Sequence, residues 1–386
     1  MEYRKRYQKW MESSVIDEET KKELSMIADN EKEIEDRFYR ELEFGTGGLR
    51  GVIGAGSNRV NKYTIGKATQ GLANYIKKEG QEAMKRGVVI AYDSRKMSRE
   101  LAEHSALVLN ANGIKSYLFE ELEPTPILSF SVRELQATAG IVITASHNPP
   151  QYNGYKVYWD DGGQIPPDRA DSIIREINEI EDFEQIQLIS KEQAKQAGLF
   201  VLIGEDILQR YINRVKALSI NSQLVREMGK DLKIIYTPLH GTGNKPVRRV
   251  LKELGFQNVT VVSEQELPDP NFSTVVSPNP EEAEAFKLAI QLAEKEGADI
   301  IIGTDPDCDR VGVVVKNKQG QYVVLTGNQT GALLVHYILS AKKEAGTLHS
   351  KGRIIKTIVT SEMGREIAKS YGIETIDTLT GFKFIC

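Results

Sequence analysis

Short apolar runs rich in β-branched residues recur along this chain, and most are separated by a stretch long enough and amphipathic enough to form a helix. The first series predicts a strand over 88–91, a helix over 98–112 ended by Gly113, a strand over 115–119 and a strand over 140–144. A second series follows at 232–236, 245–254, 259–262, 281–295 and 298–303, after a polar stretch from about 182 to 196. A third opens at 323–325 and continues through a helix at 329–343 and strands at 354–359 and 373–376. Strands that alternate with helices build βαβ units, so the expected fold is α/β, with successive βαβ domains whose mixed, mostly parallel sheets are flanked by helices. Single cores stop growing near about 250–300 residues, so 386 residues with 40% apolar content fill two or three such domains. The expected boundaries are 1–205, 206–321 and 322–386, with 1–43 forming charged amphipathic helices ahead of the first sheet. The repetition is architectural, with no repeat at the level of residues and no low-complexity tract.

Charge and composition exclude several classes of function. A net charge of −4 supplies no polybasic face for nucleic acid or anionic membrane, so neither partner is expected. The opening Met1-Glu2-Tyr3-Arg4-Lys5-Arg6 lacks the apolar core of a signal peptide, and no later apolar run approaches the roughly 18 residues of a spanning helix. A cytoplasmic protein is expected. Cys308 and Cys386 are the only cysteines, too few for a disulfide framework and too far apart for a zinc motif.

Chemistry concentrates where the predicted strands end. Gly140-Ile141-Val142-Ile143-Thr144-Ala145-Ser146-His147-Asn148-Pro149 carries a serine hydroxyl into a loop directly after a buried strand. A serine is a weak nucleophile that needs a neighbouring base or cation, and His147 and Lys156 are close in sequence. Taken alone, Ser-His-Asn-Pro reads first as an ordinary turn, and only the other segments reverse that order. The second element is Gly303-Thr304-Asp305-Pro306-Asp307-Cys308-Asp309-Arg310. In an extended chain the three aspartates project to one side and Cys308 to the other. Carboxylates at ~4 Å repel by about 4 kcal/mol per pair at an effective dielectric of 20, so a cation is the natural remedy. Hard oxygen ligands favour Mg²⁺ over zinc. A solvated acidic turn is the plain alternative.

Two further segments carry cations. The glycine-rich Phe44-Gly45-Thr46-Gly47-Gly48-Leu49-Arg50-Gly51 reads as a breaker whose Arg50 is able to pair with phosphate through two parallel hydrogen bonds, or simply as a loop with a surface arginine. Asn153-Gly154-Tyr155-Lys156-Val157 reads as a hairpin turn at Asn153-Gly154. Lys156, with its pKa lowered by burial or a neighbouring cation, is able to serve as a general acid or base. Thr237-Pro238-Leu239-His240-Gly241-Thr242-Gly243 reads as a connecting loop and Pro124-Thr125-Pro126 as a backbone-shaping loop. His104, His336 and His349 have no clustered acid or thiol partners and receive no role.

These segments, in this order from Phe44 to Ile385, resemble the α-D-phosphohexomutases, the phosphoglucomutase/phosphomannomutase family. The extended amino-terminal region and the Phe-Gly-Thr-Gly-Gly-Leu-Arg form are similar to the bacterial phosphoglucomutase branch. The resemblance implies that Ser146 is the phosphoserine and that Mg²⁺ is held by Asp305, Asp307, Asp309 and a phosphoserine oxygen. It implies catalytic roles around that serine for His147, Lys156 and Arg50, and contact with phosphate or sugar oxygens by Arg310 and by Lys383 of Thr380-Gly381-Phe382-Lys383-Phe384-Ile385. It further implies a sugar monophosphate substrate and a glucose 1,6-bisphosphate intermediate that also serves as activator.

Family members have four domains, and the sugar loop of the third and the phosphate clamp of the fourth are expected beyond Phe384. The reading is therefore of an incomplete third domain and an absent fourth, with Cys386 where the family has glycine. Glucose phosphate is the first substrate expected, and pentose or mannose phosphates are alternatives within the superfamily. From other classes come a metal-binding, phosphorylatable remnant without turnover, and a magnesium-dependent hydrolase resting on the aspartates alone. Oligomeric state is not legible.

Overall fold

The apolar runs of the amino-terminal half all enter one sheet. The computed structural model describes residues 1–45 and 48–385, and the chain separates into two compact units, Met1–Gly204 and Glu205–Cys386. Thr46, Gly47 and Cys386, which the sequence reading singled out, lie outside the described residues.

Among the described residues, unit 1 is built on a six-stranded sheet. Its strands are β1 (Gly48–Val52), β2 (Val88–Tyr92), β3 (Ser116–Phe119), β4 (Ala139–Ile143), β5 (Tyr152–Trp159) and β6 (Phe200–Ile203), in the order β1-β5-β4-β2-β3-β6. β4, β2, β3 and β6 run parallel, while β5 is antiparallel to both β4 and β1. Every residue of β2 and β4 is buried, as expected of central parallel strands covered on both faces. The covering helices include Lys62–Lys78, whose Asn61 side chain accepts from the amides of Tyr63 and Thr64, and Ser98–Ala111. The amino-terminal helices Glu2–Glu12, Glu18–Ser25 and Glu31–Phe38 contribute a separate apolar cluster in which Trp10 meets Phe38 and Tyr63 edge-on at 5.7 and 5.5 Å.

Three local expectations are corrected here. The breaker expected through Gly51 gives way to strand β1, which extends the sheet by pairing with β5. Gly48 is required there, since a Cβ would lie 1.8 Å from the Tyr155 carbonyl oxygen at φ +132. Asn153-Gly154 is strand, not turn: the Asn153 amide is buried and donates to Lys96 O and Ser98 Oγ, both at 2.9 Å. A β4–β5 hairpin does exist, and its connection is the Ser146 segment itself. Pro124 precedes a helix, Thr125–Glu134, with Pro126 in its first turn, where the missing N–H costs nothing.

Unit 2 carries a five-stranded sheet of β7 (Lys233–Thr237), β8 (Asn258–Val261), β9 (Ile300–Thr304), β10 (Val311–Lys316) and β11 (Tyr322–Val324), ordered β11-β10-β9-β7-β8. β9, β7 and β8 are parallel; β10 returns antiparallel to β9. The run expected to open the third series is β11, which instead closes this second sheet as a hairpin with β10. A parallel pair, β12 (Arg353–Thr357) and β13 (Glu374–Thr378), follows with helices Gly327–Glu344 and Met363–Ser370. No helix among the described residues is long and apolar enough to cross a membrane.

Candidate functional site

In unit 1, β4 delivers the chain to Ser146 and β5 carries it away. Ser146 has φ +52, a left-handed conformation uncommon outside glycine, and its N–H donates to Thr144 Oγ1 at 2.8 Å. The residue is only 4% exposed, and its Oγ lies 3.3 Å from His147 Nδ1. Arg50, on β1 opposite Gly154, reaches over the loop to donate from Nη1 to Asn148 Oδ1 at 3.1 Å. Lys156 sits on β5 between Gly48 of β1 and Val142 of β4. The antiparallel order β1-β5-β4 thus brings Arg50 to the loop that holds Ser146 and His147, while Lys156 lies in the sheet at the register of Val142.

Sequence reasoning passed over the residues that hold this loop. Arg95 is buried and donates to the carbonyl oxygens of Ser146, Asn148, Pro149 and Tyr152, the Pro149 and Tyr152 contacts at 2.9 and 3.0 Å. Its charge is balanced by Asp93, equally buried, with Nε 3.4 Å from Oδ2. Asp93 also accepts from Thr144 Oγ1 at 2.6 Å and Ser98 Oγ at 2.7 Å. Burial pushes the Asp93 carboxyl above its ordinary range, against the opposing pull of Arg95 and these donors. The available signal was Asp93-Ser94-Arg95 directly after a fully buried strand, the same position that marks the other two loops.

In unit 2, β9 ends at Thr304 and the acidic loop follows. Asp305, Asp307 and Asp309 offer oxygens that all lie within 4.8 Å of one another, the first two fully buried and the third exposed. They converge by a turn rather than by the expected extended alternation. The Cys308 N–H donates to Asp305 O at 2.9 Å, and Cys308 takes φ +53. Asp305 is oriented by the chain itself, its Oδ1 accepting from the amides of Asp309 and Arg310 at 3.1 and 3.0 Å. Cys308 Sγ packs beside Gly243, and burial, with the negative charge of the aspartates, pushes its thiol up to about 12. Arg310 Nη1 is 3.3 Å from Glu281 Oε1, a loose pair between partly exposed groups. Lys383, on the short helical turn Phe382–Phe384, lies over the Phe384 ring at 5.0 Å.

Family models for the phosphoglucomutase/phosphomannomutase α/β/α domains I, II and III match residues 41–184, 209–320 and 326–386. The chain belongs to the phosphoglucomutase/phosphomannomutase family. It is 41% identical over 352 residues to a phosphoglucomutase of Staphylococcus haemolyticus, an alignment covering 91% of this chain and 62% of that protein. A phosphoglucomutase of Staphylococcus aureus is 40% identical over 360 residues, covering 92% and 62%. The chain therefore spans about 62% of the length of these curated relatives. In fold it is similar to a phosphoglucomutase/phosphomannomutase family protein of Burkholderia thailandensis, at TM-score 0.67 and 22% identity over 89% of this chain and 67% of that one.

Membership of the phosphoglucomutase/phosphomannomutase family implies a metal cofactor, and the acidic loop fits one. Two buried carboxylates crowded against a third are costly without a counter-charge, and an all-oxygen donor set suits a hard divalent cation.

Proposed function

We propose that this chain belongs to a phosphosugar mutase that interconverts glucose 1-phosphate and glucose 6-phosphate through a phosphoserine and a glucose 1,6-bisphosphate intermediate. The observation that carries this reading is Ser146, held left-handed at the turn after a buried strand with its hydroxyl beside His147 Nδ1. The names of relatives 41% and 40% identical to this chain support glucose as the sugar.

Phospho-Ser146 gives its phosphoryl group to the free hydroxyl of the sugar monophosphate: the bond from phosphorus to Ser146 Oγ breaks and one to the sugar oxygen forms. The hydroxyl proton passes to His147 or Lys156. The bisphosphate then returns its other phosphate to Ser146 by the same exchange in reverse. Arg50, Arg310 and Lys383 bind phosphate or sugar oxygens; the loose pairing of Arg310 with Glu281 leaves it able to turn toward an anion. Asp305, Asp307 and Asp309 would hold a Mg²⁺, which when bound would supply charge stabilisation for the transferred group. A doubly charged sugar phosphate does not cross a membrane unaided, so the reaction is read as cytoplasmic.

The test is conversion of glucose 1-phosphate to glucose 6-phosphate with Mg²⁺ and a trace of the bisphosphate, using this chain beside one extended to its relatives' full length. Conversion that disappears in Ser146→Ala, with phosphate mapped to Ser146 by peptide mass spectrometry, supports the reading. Phosphate found on another residue, or steady release of inorganic phosphate undiminished in Ser146→Ala, would sink it.

A further inference from the structure

The loop after β7, residues 237–243, does far more than join a strand to a helix. Leu239 and His240 are both left-handed, at φ +46 and +61. Two successive non-glycine residues there cost about 1–2 kcal/mol each, and such strain persists only where the surroundings over-determine it. They do so here. The His240 N–H donates to Gln265 O at 3.0 Å, Nδ1 lies 2.9 Å from Leu267 O, and Nε2 lies 2.9 Å from Thr274 Oγ1. A carbonyl only accepts, so Nδ1 carries the proton in the neutral ring and Nε2 accepts from the threonine. Thr237 Oγ1 donates to Gln265 Oε1 at 2.6 Å and receives the Leu239 N–H at 3.2 Å.

What this strained turn delivers is a clamp on the acidic loop. Both the N–H and the Oγ1 hydroxyl of Thr242 donate to Pro306 O, each at 2.9 Å, and Pro306 stands between Asp305 and Asp307. Loop 237–243 packs closely on either side of Thr242, against the Pro306 backbone at Gly241 and against side chains at Gly243. A Cβ on Gly241 would lie 2.6 Å from Pro306 Cα, and one on Gly243 would lie 2.5 Å from Tyr236 Oη, 2.7 Å from Thr304 Oγ1 and 2.9 Å from Cys308 Sγ. Tyr236 Oη and Thr304 Oγ1 are themselves bonded at 2.8 Å in the buried floor beneath.

We infer that loop 237–243 is the brace that keeps Asp305, Asp307 and Asp309 gathered, with Thr242 as its positioning residue and a hard divalent cation as the ligand it serves. The inference rests on the metal-loop reading above. Three carboxylates gathered within 4.8 Å repel one another, so a loop left to itself would open; a loop held closed from behind binds its cation without first having to be ordered. Groups that orient metal ligands from outside are commonly worth about 10–100-fold in metal affinity.

Mn²⁺ binding by the 386-residue chain, followed by electron paramagnetic resonance, tests this. Thr242→Val keeps the side-chain shape and removes the hydroxyl, and it should weaken Mn²⁺ binding about 10-fold. Thr242→Ser should restore binding to within about 2-fold of the unaltered chain. Thr274 is exposed, so Thr274→Ala leaves the core intact while withdrawing support from His240, and it should weaken binding about 3-fold. Unchanged affinity in both Thr242→Val and Thr274→Ala overturns the brace; if Thr242→Val fails to fold by circular dichroism, Thr274→Ala decides alone. Asp307→Ala separates this from failure of the site itself. If the unaltered chain binds Mn²⁺ and Asp307→Ala does not, the metal loop stands and only the brace is judged; if neither binds, both ideas fall.

Discussion

Arg95 is the residue on which the Ser146 loop depends most for its shape, because its guanidinium donates to four carbonyl oxygens within that loop and its start of β5. Removing it leaves Asp93 as a buried charge without its counter-ion beside a loop that has lost four hydrogen bonds. Arg95→Met should therefore destabilise unit 1 by about 3–5 kcal/mol, and adding Asp93→Asn should recover a substantial part of that loss. Urea denaturation of the two single variants and the double variant measures the coupling; strictly additive losses would show that the pair does not act as a unit. Ser146 was legible in the sequence because hydroxyl, imidazole and proline cluster after an apolar run. Arg95 was not, because its partners are main-chain carbonyls, which have no side-chain signature and come together only when β2 lies beside β4.

At the scale of elements, the β1-β5-β4 ribbon places Arg50 against the Ser146 loop and Lys156 in the sheet at the register of Val142, and glycine allows its strands to lie close. A Cβ on Gly154 would lie 2.7 Å from both Leu49 O and Thr144 O, main-chain atoms of the two neighbouring segments that cannot swing aside. Gly154→Ala should cost about 1–3 kcal/mol. Gly331→Ala, inside helix Gly327–Glu344 with open space at its Cβ, should instead stabilise by about 0.5–1 kcal/mol. Chemical denaturation of both variants checks the contrast, and equal effects would remove the packing argument. Element positions in the central strands followed from apolar periodicity. β1 and β5 did not, since glycine and Asn-Gly signal breaks and turns locally, whereas their conformation here is set by strand pairing and by the bonds of Asn153 to Lys96 and Ser98.

Across the whole molecule, the Ser146 loop and the acidic loop belong to different units, so a ligand of one loop is expected to protect its own unit. Adding Mg²⁺ at about 100 times its Kd should stabilise the unit that binds it by about 2.7 kcal/mol. Hydrogen–deuterium exchange should show the slowing concentrated between β7 and β10, with residues 88–159 unchanged and the effect abolished in Asp307→Ala. Slowing confined to residues 1–204 would place the cation elsewhere.

By itself the sequence determined the α/β class, the order of most strands and helices, and the family, because apolar periodicity and short motifs are local properties of the chain. It also marked the aspartates, although the extended geometry expected for them proved to be a turn closed through Cys308. Tertiary structure alone decided that β11 joins the second sheet, that the Ser146 segment is a hairpin connection, and that Arg95 and Thr242 hold the two loops in shape. The physical reason is common to all four: each depends on hydrogen bonds to main-chain groups, made by other main-chain groups or by the Arg95 and Thr242 side chains, and every residue presents the same C=O and every residue except proline the same N–H.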